Sequence, residues 1–177
     1  MDLDVSCEDT PIGDWLPKDF KEKDVSLIAG VEFDIAPNLD YNFERQFATW
    51  AVLAKPHSPH LLMVVEDILA SLAETTKKHN VTISEMTLEM INDVVYYTGP
   101  RRFSQSVAKS LTSTLGKDIK AVDYTKLLAP KLLGDVLVLP GYSFASGVNA
   151  YPEGQGGKQL VKHHYAGSWK NKQGGEG

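Results

Sequence analysis

Two short apolar runs constrain what this chain can fold into more than any other feature of its sequence. Residues 25–34 are mostly apolar and are followed by Pro37. Residues 135–139 have high β-propensity and stop at Pro140 and Gly141. Runs of this length, bounded by turn residues, predict buried strands.

Amphipathic patterns between and around these runs predict helices. The predicted helices cover residues 41–54, 59–79, 84–92 and 103–115. Ser58 and Pro59 suit the N-cap and first position of the second one. Two further strands are predicted at residues 94–97 and 159–164. Helices and strands alternate without the rhythm of repeated βαβ units, which predicts an α/β or α+β fold.

Composition excludes several classes of protein. The chain has 177 residues, 42% of them hydrophobic, which suits one sizeable core. The net charge of -5 gives no sign of a nucleic-acid-binding protein. No apolar run reaches the roughly 18 residues of a membrane span, and the acidic start does not resemble a signal peptide. We therefore expect no anchor or signal within this chain. A single cysteine, Cys7, excludes an internal disulfide.

The first residues contain a pair of carboxylates, Asp2 and Asp4. In a strand both would lie on one face, because side chains alternate with a period of two. Carboxylates together with an imidazole and phosphate oxygens form a hard site that suits Mn²⁺ or Mg²⁺. Taken alone, the pair is better explained as a solvated acidic terminus.

A second stretch with chemical potential covers residues 163–170. Adjacent histidines on a strand point to opposite faces, so only one of His163 and His164 can face a site. Gly167 permits close approach of the backbone to a ligand. The donors that follow suit phosphate oxygens and are Ser168, Trp169 and Lys170. The alternative is an ordinary strand end with a turn and an exposed lysine.

The order of these two stretches and of five further motifs resembles the DXD-containing sugar transferases of glycosyltransferase family 32. The likeness is greatest to the fungal initiation-specific alpha-1,6-mannosyltransferases. The further motifs are Asp14-Trp-Leu16, Arg45-Gln-Phe-Ala-Thr-Trp50, Ala54-Lys-Pro-His57, Thr98-Gly-Pro100 and Asp135-Val-Leu-Val-Leu-Pro140. Singly each motif is weak, but together they cover nearly all of the chain.

The resemblance implies the C-terminal portion of a GT-A type nucleotide-sugar transferase domain, incomplete at its N-terminus. Residues 1–170 would be a partial catalytic domain that starts at the DXD motif, and residues 171–177 a flexible tail. The catalytic residues are expected upstream of Met1. Asp2, Asp4 and His164 would hold Mn²⁺ or Mg²⁺, with His164 preferred to His163 because the family's spacing follows it.

The remaining roles are also implied by the resemblance. Residues that would bind the donor diphosphate are Gly167, Ser168, Trp169 and Lys170. Residues that would shape the acceptor side are Trp50, His57, Thr98 and Gly99. For Trp50 a place in the core is the stronger alternative, and His57 could simply separate two helices.

By resemblance, the full enzyme would transfer mannose from GDP-mannose to a mannose-containing N-glycan with retention of configuration. It would act on the lumenal side of the Golgi membrane, in complexes with other Golgi transferases. We expect this chain alone to be inactive, because half of the donor site would be missing. Two alternatives stay open: mannosyl transfer to inositol phosphorylceramide, and a non-catalytic fragment that binds a partner transferase.

Overall fold

The computed structural model describes residues 1–35 and 45–165, and its centre is a four-stranded mixed sheet. From one edge to the other, the strands are β3 (Phe47–Ala54), β2 (Leu27–Val31), β5 (Val136–Leu139) and β4 (Lys131–Leu133). β2 and β5 are parallel, and each outer strand pairs antiparallel with its neighbour. A separate antiparallel pair consists of β1 (Val5–Cys7) and β6 (Val161–His163).

The two central strands confirm the buried strands predicted at residues 25–34 and 135–139. Every residue of β2 and β5 is buried. Alternate side chains enter two apolar clusters, so that Ile28 packs on one face of the sheet and Leu27 and Ala29 on the other. Gly30 lies so close to Phe144 that an added Cβ would stand 2.6 Å from its ring. Both faces of the sheet are therefore covered.

The helix predicted at residues 41–54 is wrong, since residues 47–54 form strand β3 and residues 36–44 lie outside the described part of the chain. A bulge explains the misleading pattern. Between Ala29 and Val31 of β2, the register on β3 moves from Val52 to Phe47. Phe47 enters one apolar cluster, whereas Trp50 enters the other. The extra residues break strict alternation and imitate a helical period.

The helices are α1 (Pro59–His79), α2 (Leu88–Ile91), α3 (Val94–Tyr97), α4 (Pro100–Leu115) and α5 (Gly141–Phe144). Single 3₁₀ turns occur at Ile12–Asp14, Lys18–Phe20, Ile83–Glu85, Ala121–Asp123 and Ser146–Val148. The helices predicted at residues 59–79 and 103–115 are confirmed. The helix predicted at residues 84–92 is reduced to the turn Ile83–Glu85 and the short α2.

The strand predicted at residues 94–97 is wrong, because this segment is the short helix α3. Its β-branched and aromatic residues favour a strand, but Asp93 caps a helix instead. The Asp93 carboxylate accepts hydrogen bonds from the backbone N–H groups of Val95, at 2.9 Å, and Tyr96, at 3.2 Å. The cap therefore outweighs the intrinsic propensity.

Helix α4 covers one face of the sheet and α1 packs on α4. Phe103, Val107 and Leu111 of α4 join the cluster beneath it. Asp67 of α1 accepts hydrogen bonds from Ser106 at 2.7 Å and Lys109 at 2.5 Å. Ser58 immediately precedes α1, but its hydroxyl makes no capping bond. No helix in the described part of the chain is long and apolar enough to cross a membrane.

Candidate functional site

Pairing of β1 with β6 brings the two ends of the described chain together. Val5 lies opposite His163, and the His164 N–H donates to the Asp4 carbonyl oxygen at 2.9 Å. The Asp2 N–H donates to the carbonyl oxygen of Trp50 at 2.9 Å, which ties this pair to β3. The acidic stretch and the histidine stretch singled out in the sequence are therefore neighbours in the fold.

The imidazole that meets the Asp4 carboxylate belongs to His163. Its Nε2 lies 3.3 Å from Asp4 Oδ2. The ring stacks on Trp50 with 4.4 Å between centroids and 16° between planes, and Tyr165 leans against it at 4.0 Å. The indole of Trp50 thus packs against one face of the His163 ring. The indole N–H of Trp50 donates to the Phe144 carbonyl oxygen at 3.1 Å.

His164 points to the other face of the strand pair, as alternation requires. Its Nε2 lies 2.9 Å from the Ser6 hydroxyl oxygen, and its side chain is exposed. Asp2 is exposed as well. Within residues 1–35 and 45–165 the structure gathers no three His, Cys, Asp or Glu side chains suited to a metal ion. The ligand set of Asp2, Asp4 and His164 therefore stays a prediction.

Some of the other predicted site residues lie outside the described part of the chain, and the rest lie in three parts of the fold. Gly167, Ser168, Trp169 and Lys170 lie outside the described residues. Trp50 is buried in the core and also walls the Asp4–His163 contact.

His57, Thr98 and Gly99 belong to other parts of the fold. Exposed His57 follows Ala54, which pairs with Leu27 at the start of β2, whereas the described site lies toward the end of that strand. Thr98 and Gly99 form the turn between α3 and α4, on the α4 side of the sheet. Their acceptor roles stay predictions.

Glu32 is a further candidate that the sequence reasoning did not single out. It directly follows β2 and is only 6% exposed. Burial raises the pKa of its carboxyl to about 7, although a hydrogen bond from the Gln46 amide at 2.5 Å opposes that rise. The available signal was an acidic residue at the end of an apolar strand. In open α/β sheets, ligands bind outside the carboxyl ends of parallel strands.

Asp34 and Asn149 hold the chain at the carboxyl ends of β2 and β5. The Asp34 carboxylate accepts from the Tyr151 hydroxyl at 2.6 Å and from the N–H of Leu127 at 3.1 Å. Asn149 accepts from the N–H of Asp34 at 2.7 Å and donates to the Glu32 carbonyl oxygen at 2.7 Å. These bonds fix the backbone on which Glu32 is placed.

Tyr165 packs beside the Asp4–His163 contact. Its ring lies 5.8 Å from Trp50 and 4.0 Å from His163. Partial burial, with a smaller contribution from the charge of Glu32, raises the pKa of its phenol to about 12, although 48% of the residue stays exposed. The hydroxyl therefore stays protonated near neutral pH and can donate or accept a hydrogen bond. Together these groups form an aromatic wall between two acidic positions.

Two curated fungal proteins are similar to this chain. It is 32% identical over 165 residues to the initiation-specific alpha-1,6-mannosyltransferase of Schizosaccharomyces pombe, a match that covers 90% of this chain. It is 30% identical over 144 residues to HOC1 of Saccharomyces cerevisiae, a protein named as a glycosyltransferase, with 76% of this chain covered. No family model and no solved structure matches the chain.

The chain spans 40% of the length of the first relative and 35% of the second. Both matches extend over most of this sequence, and the mixed sheet with helices is consistent with part of a glycosyltransferase domain. Over most of its own length, the chain is therefore related to fungal glycosyltransferases, one of them named as a mannosyltransferase.

Proposed function

We propose that this chain contributes to the catalytic domain of a metal-dependent, retaining mannosyltransferase that uses GDP-mannose. The observation that carries the proposal is the pairing of β1 with β6, which sets Asp4 beside the histidine stretch. The name of the first relative supports mannose as the transferred sugar. The name of the second supports glycosyl transfer in general, and a glycan is the acceptor that we propose. The first relative is named as initiation-specific, and we propose in line with the family resemblance that the reaction initiates an outer chain on an N-glycan.

The chemistry of the available side chains fits a divalent cation. Carboxylates and imidazole are suitable ligands for Mn²⁺, and carboxylates alone for Mg²⁺. We propose Asp2, Asp4 and His164 as the ligands, with His163 as the competing imidazole because its Nε2 lies 3.3 Å from Asp4. A bound cation would supply Lewis-acid neutralisation of the charge that develops on a leaving diphosphate.

The chain's own residues would hold the diphosphate and the sugar. Gly167, Ser168, Trp169 and Lys170 would donate hydrogen bonds to the phosphate oxygens, because N–H, hydroxyl and ammonium groups match those acceptors. Trp50 positions the His163 ring by stacking at 4.4 Å and keeps water from that side of it. Trp50 is buried behind His163, and the exposed ring of Tyr165 beside His163 offers an apolar surface for a sugar ring.

Cellular location and partners follow from the same proposal. A transferase that extends N-glycans would act in the Golgi lumen, together with other transferases of that compartment. Fractionation of cells that express the tagged full-length protein tests this part. Co-migration with Golgi markers is expected, and a cytosolic distribution would contradict it.

Binding is the appropriate test, since the chain spans only part of its relatives. The melting temperature of the purified chain is measured with GDP and Mn²⁺ together, and with each alone. A ligand that binds the folded state must raise the midpoint by mass action. We expect an increase with both ligands that disappears in Asp4→Ala.

Two neighbouring variants identify the imidazole ligand. His164→Ala should abolish the increase if the proposed ligand set is correct, whereas His163→Ala should abolish it if the imidazole beside Asp4 binds the metal. If both variants keep the increase in melting temperature, neither histidine is a metal ligand. An unchanged midpoint of the wild-type chain with GDP and Mn²⁺ would contradict the proposed function.

A further inference from the structure

The side chains of Glu32 and Gln46 form a buried pair on the face of the sheet that carries Trp50. The Glu32 N–H donates to the Gln46 carbonyl oxygen at 2.8 Å, so the two residues lie opposite each other across adjacent chain segments. Their neighbours Val31 and Phe47 also face each other and enter the cluster under α4. Because side chains alternate, Glu32 and Gln46 project to the opposite face.

The pair has more hydrogen-bond acceptors than the surrounding protein satisfies. Glu32 is 6% and Gln46 5% exposed, and Gln46 Nε2 donates to Glu32 Oε2 at 2.5 Å. The remaining amide oxygen, Gln46 Oε1, is buried and has no partner among the described residues. A buried acceptor without a donor is unfavourable, and native proteins rarely retain one without a reason. Gln46 Oε1 could therefore accept a hydrogen bond from a donor group that binds beside it.

The surroundings indicate which kind of donor fits. Trp50 lies on the face of the sheet to which the pair projects, and the rings of His163 and Tyr165 pack against Trp50. The charge of Glu32 also contributes to the raised pKa of the Tyr165 phenol. A hexose presents neighbouring hydroxyls as donors and an apolar C–H face. Carboxylate and amide oxygens beside aromatic rings match both features.

We propose that Glu32 and Gln46 bind neighbouring hydroxyl groups of a hexose, one hydroxyl donating to Gln46 Oε1 and the next to the Glu32 carboxyl group. The inference rests on the proposed function for the nature of the sugar. The hexose is either the sugar of the donor nucleotide or a mannose of the acceptor, since both present the same hydroxyl chemistry.

Calorimetric titration of the full chain with three probes separates these sources. GDP with Mn²⁺ reports the nucleotide site alone, GDP-mannose with Mn²⁺ adds the donor sugar, and alpha-1,6-mannobiose represents the acceptor. The variants are Glu32→Gln and Gln46→Met, which keep side-chain length but change or remove acceptors. Glu74→Gln, at an exposed position of α1, is the matched control.

We expect both site variants to weaken either GDP-mannose or mannobiose about tenfold, as for the loss of one hydrogen bond to a charged group. Affinity for GDP with Mn²⁺ should not change, and Glu74→Gln should bind like the wild type. Denaturant unfolding of each variant shows that it is folded. The sugar that loses affinity identifies the source.

Failure of this inference differs from failure of the proposed function. Unchanged affinity of both variants for both sugars would overturn the inference and leave the nucleotide site intact. Wild-type chain that binds mannobiose through Glu32, but not GDP, would retain the inference and contradict the proposed function. Wild-type chain that binds neither sugar would overturn the inference whatever GDP does.

Discussion

Two buried polar clusters lie at opposite ends of the same pair of parallel strands, and they differ in how completely they are hydrogen-bonded. At the start of β2 and β5, His60 contacts Asp135 through Nε2 at 2.9 Å and Ser110 through Nδ1 at 3.0 Å. Ser26 donates to the same carboxylate at 2.5 Å. At the end of β2, the Glu32–Gln46 pair leaves Gln46 Oε1 without a partner among the described residues.

The difference distinguishes a structural network from a binding position. Ser110, His60 and Asp135 are the residue types of a hydrolase triad, but their buried polar side-chain atoms all have partners among the described residues. Both ring nitrogens of His60 are occupied, and the network joins α1 and α4 to the sheet. Satisfied buried networks rigidify a fold. The incompletely satisfied pair lies where ligands of open α/β sheets bind.

The largest effect is expected from His60→Ala. The substitution removes a fully buried ring and leaves the Asp135 and Ser110 side chains without their shared partner. Creation of a cavity together with unpaired polar groups should lower the free energy of unfolding by about 3 kcal/mol or more. Urea unfolding at neutral pH measures it.

His79→Ala is the matched control, because His79 is exposed at the end of α1. Its effect should be below about 0.5 kcal/mol. Equal effects of the two substitutions would mean that the His60 network does not stabilise the fold, and the contrast between the two clusters would be lost.

Glu32→Gln should remove the pH dependence of stability that the second cluster imposes. The pKa of Glu32 is raised by burial from 4.5 to about 7, so the folded chain keeps a proton that the unfolded chain releases. Stability is therefore fully present below the unfolded pKa and is lost as pH rises toward about 7. The loss is up to about 3 kcal/mol. Gln cannot titrate and removes this dependence.

Urea unfolding of the wild type and Glu32→Gln across this pH range gives the measurement. The variant should gain stability relative to the wild type as pH rises, and the two should converge toward about pH 4. Parallel curves would show that Glu32 is not desolvated, which would weaken its assignment to a buried binding position.

The sequence predicted the scaffold of both clusters but not their side-chain partners. The apolar runs identified β2 and β5, and Pro59 marked the start of α1. The predictions for residues 47–54 and 94–97 were wrong. A bulge in the pairing of β2 with β3 disguised the strand at residues 47–54, and a cap from Asp93 favoured a helix at residues 94–97. Glu32 and Gln46 meet only through that bulged pairing, so their proximity could not be predicted from spacing. The same pairing argument explains why His163, and not His164, faces Asp4.

Asp135→Asn should destabilise the first cluster less than His60→Ala. Burial acts to raise the pKa of Asp135, but hydrogen bonds from Ser26 and His60 and the charge of His60 hold it below its usual value of 3.8. Its stabilising contribution is present above that value and is lost as pH falls through the folded pKa. We expect a loss of about 1–3 kcal/mol at neutral pH.

The difference between Asp135→Asn and the wild type should shrink in acid, because the wild-type carboxyl then also becomes neutral. Urea unfolding near pH 7 and near pH 3 tests this. A difference that stays constant would mean that the amide disturbs packing rather than charge, and the cluster would not be held by an ionised carboxylate.

The smallest effect is expected from a comparison of two buried serines, Ser110 and Ser58. Ser110 supplies the hydrogen bond to His60 Nδ1, whereas the Ser58 hydroxyl, although buried, has no partner among the described residues. Ser110→Ala should cost about 1 kcal/mol because it leaves a ring nitrogen unsatisfied. Ser58→Ala should cost nothing or stabilise, since it removes a hydroxyl that is already unsatisfied. Urea unfolding measures the free energy of unfolding of both variants. It tests whether the loss of a hydrogen-bonded group costs more than the loss of an unsatisfied one. If Ser58→Ala cost as much as Ser110→Ala, a buried group without a partner in the structure would not be unsatisfied in solution, and the case for Gln46 Oε1 would weaken with it.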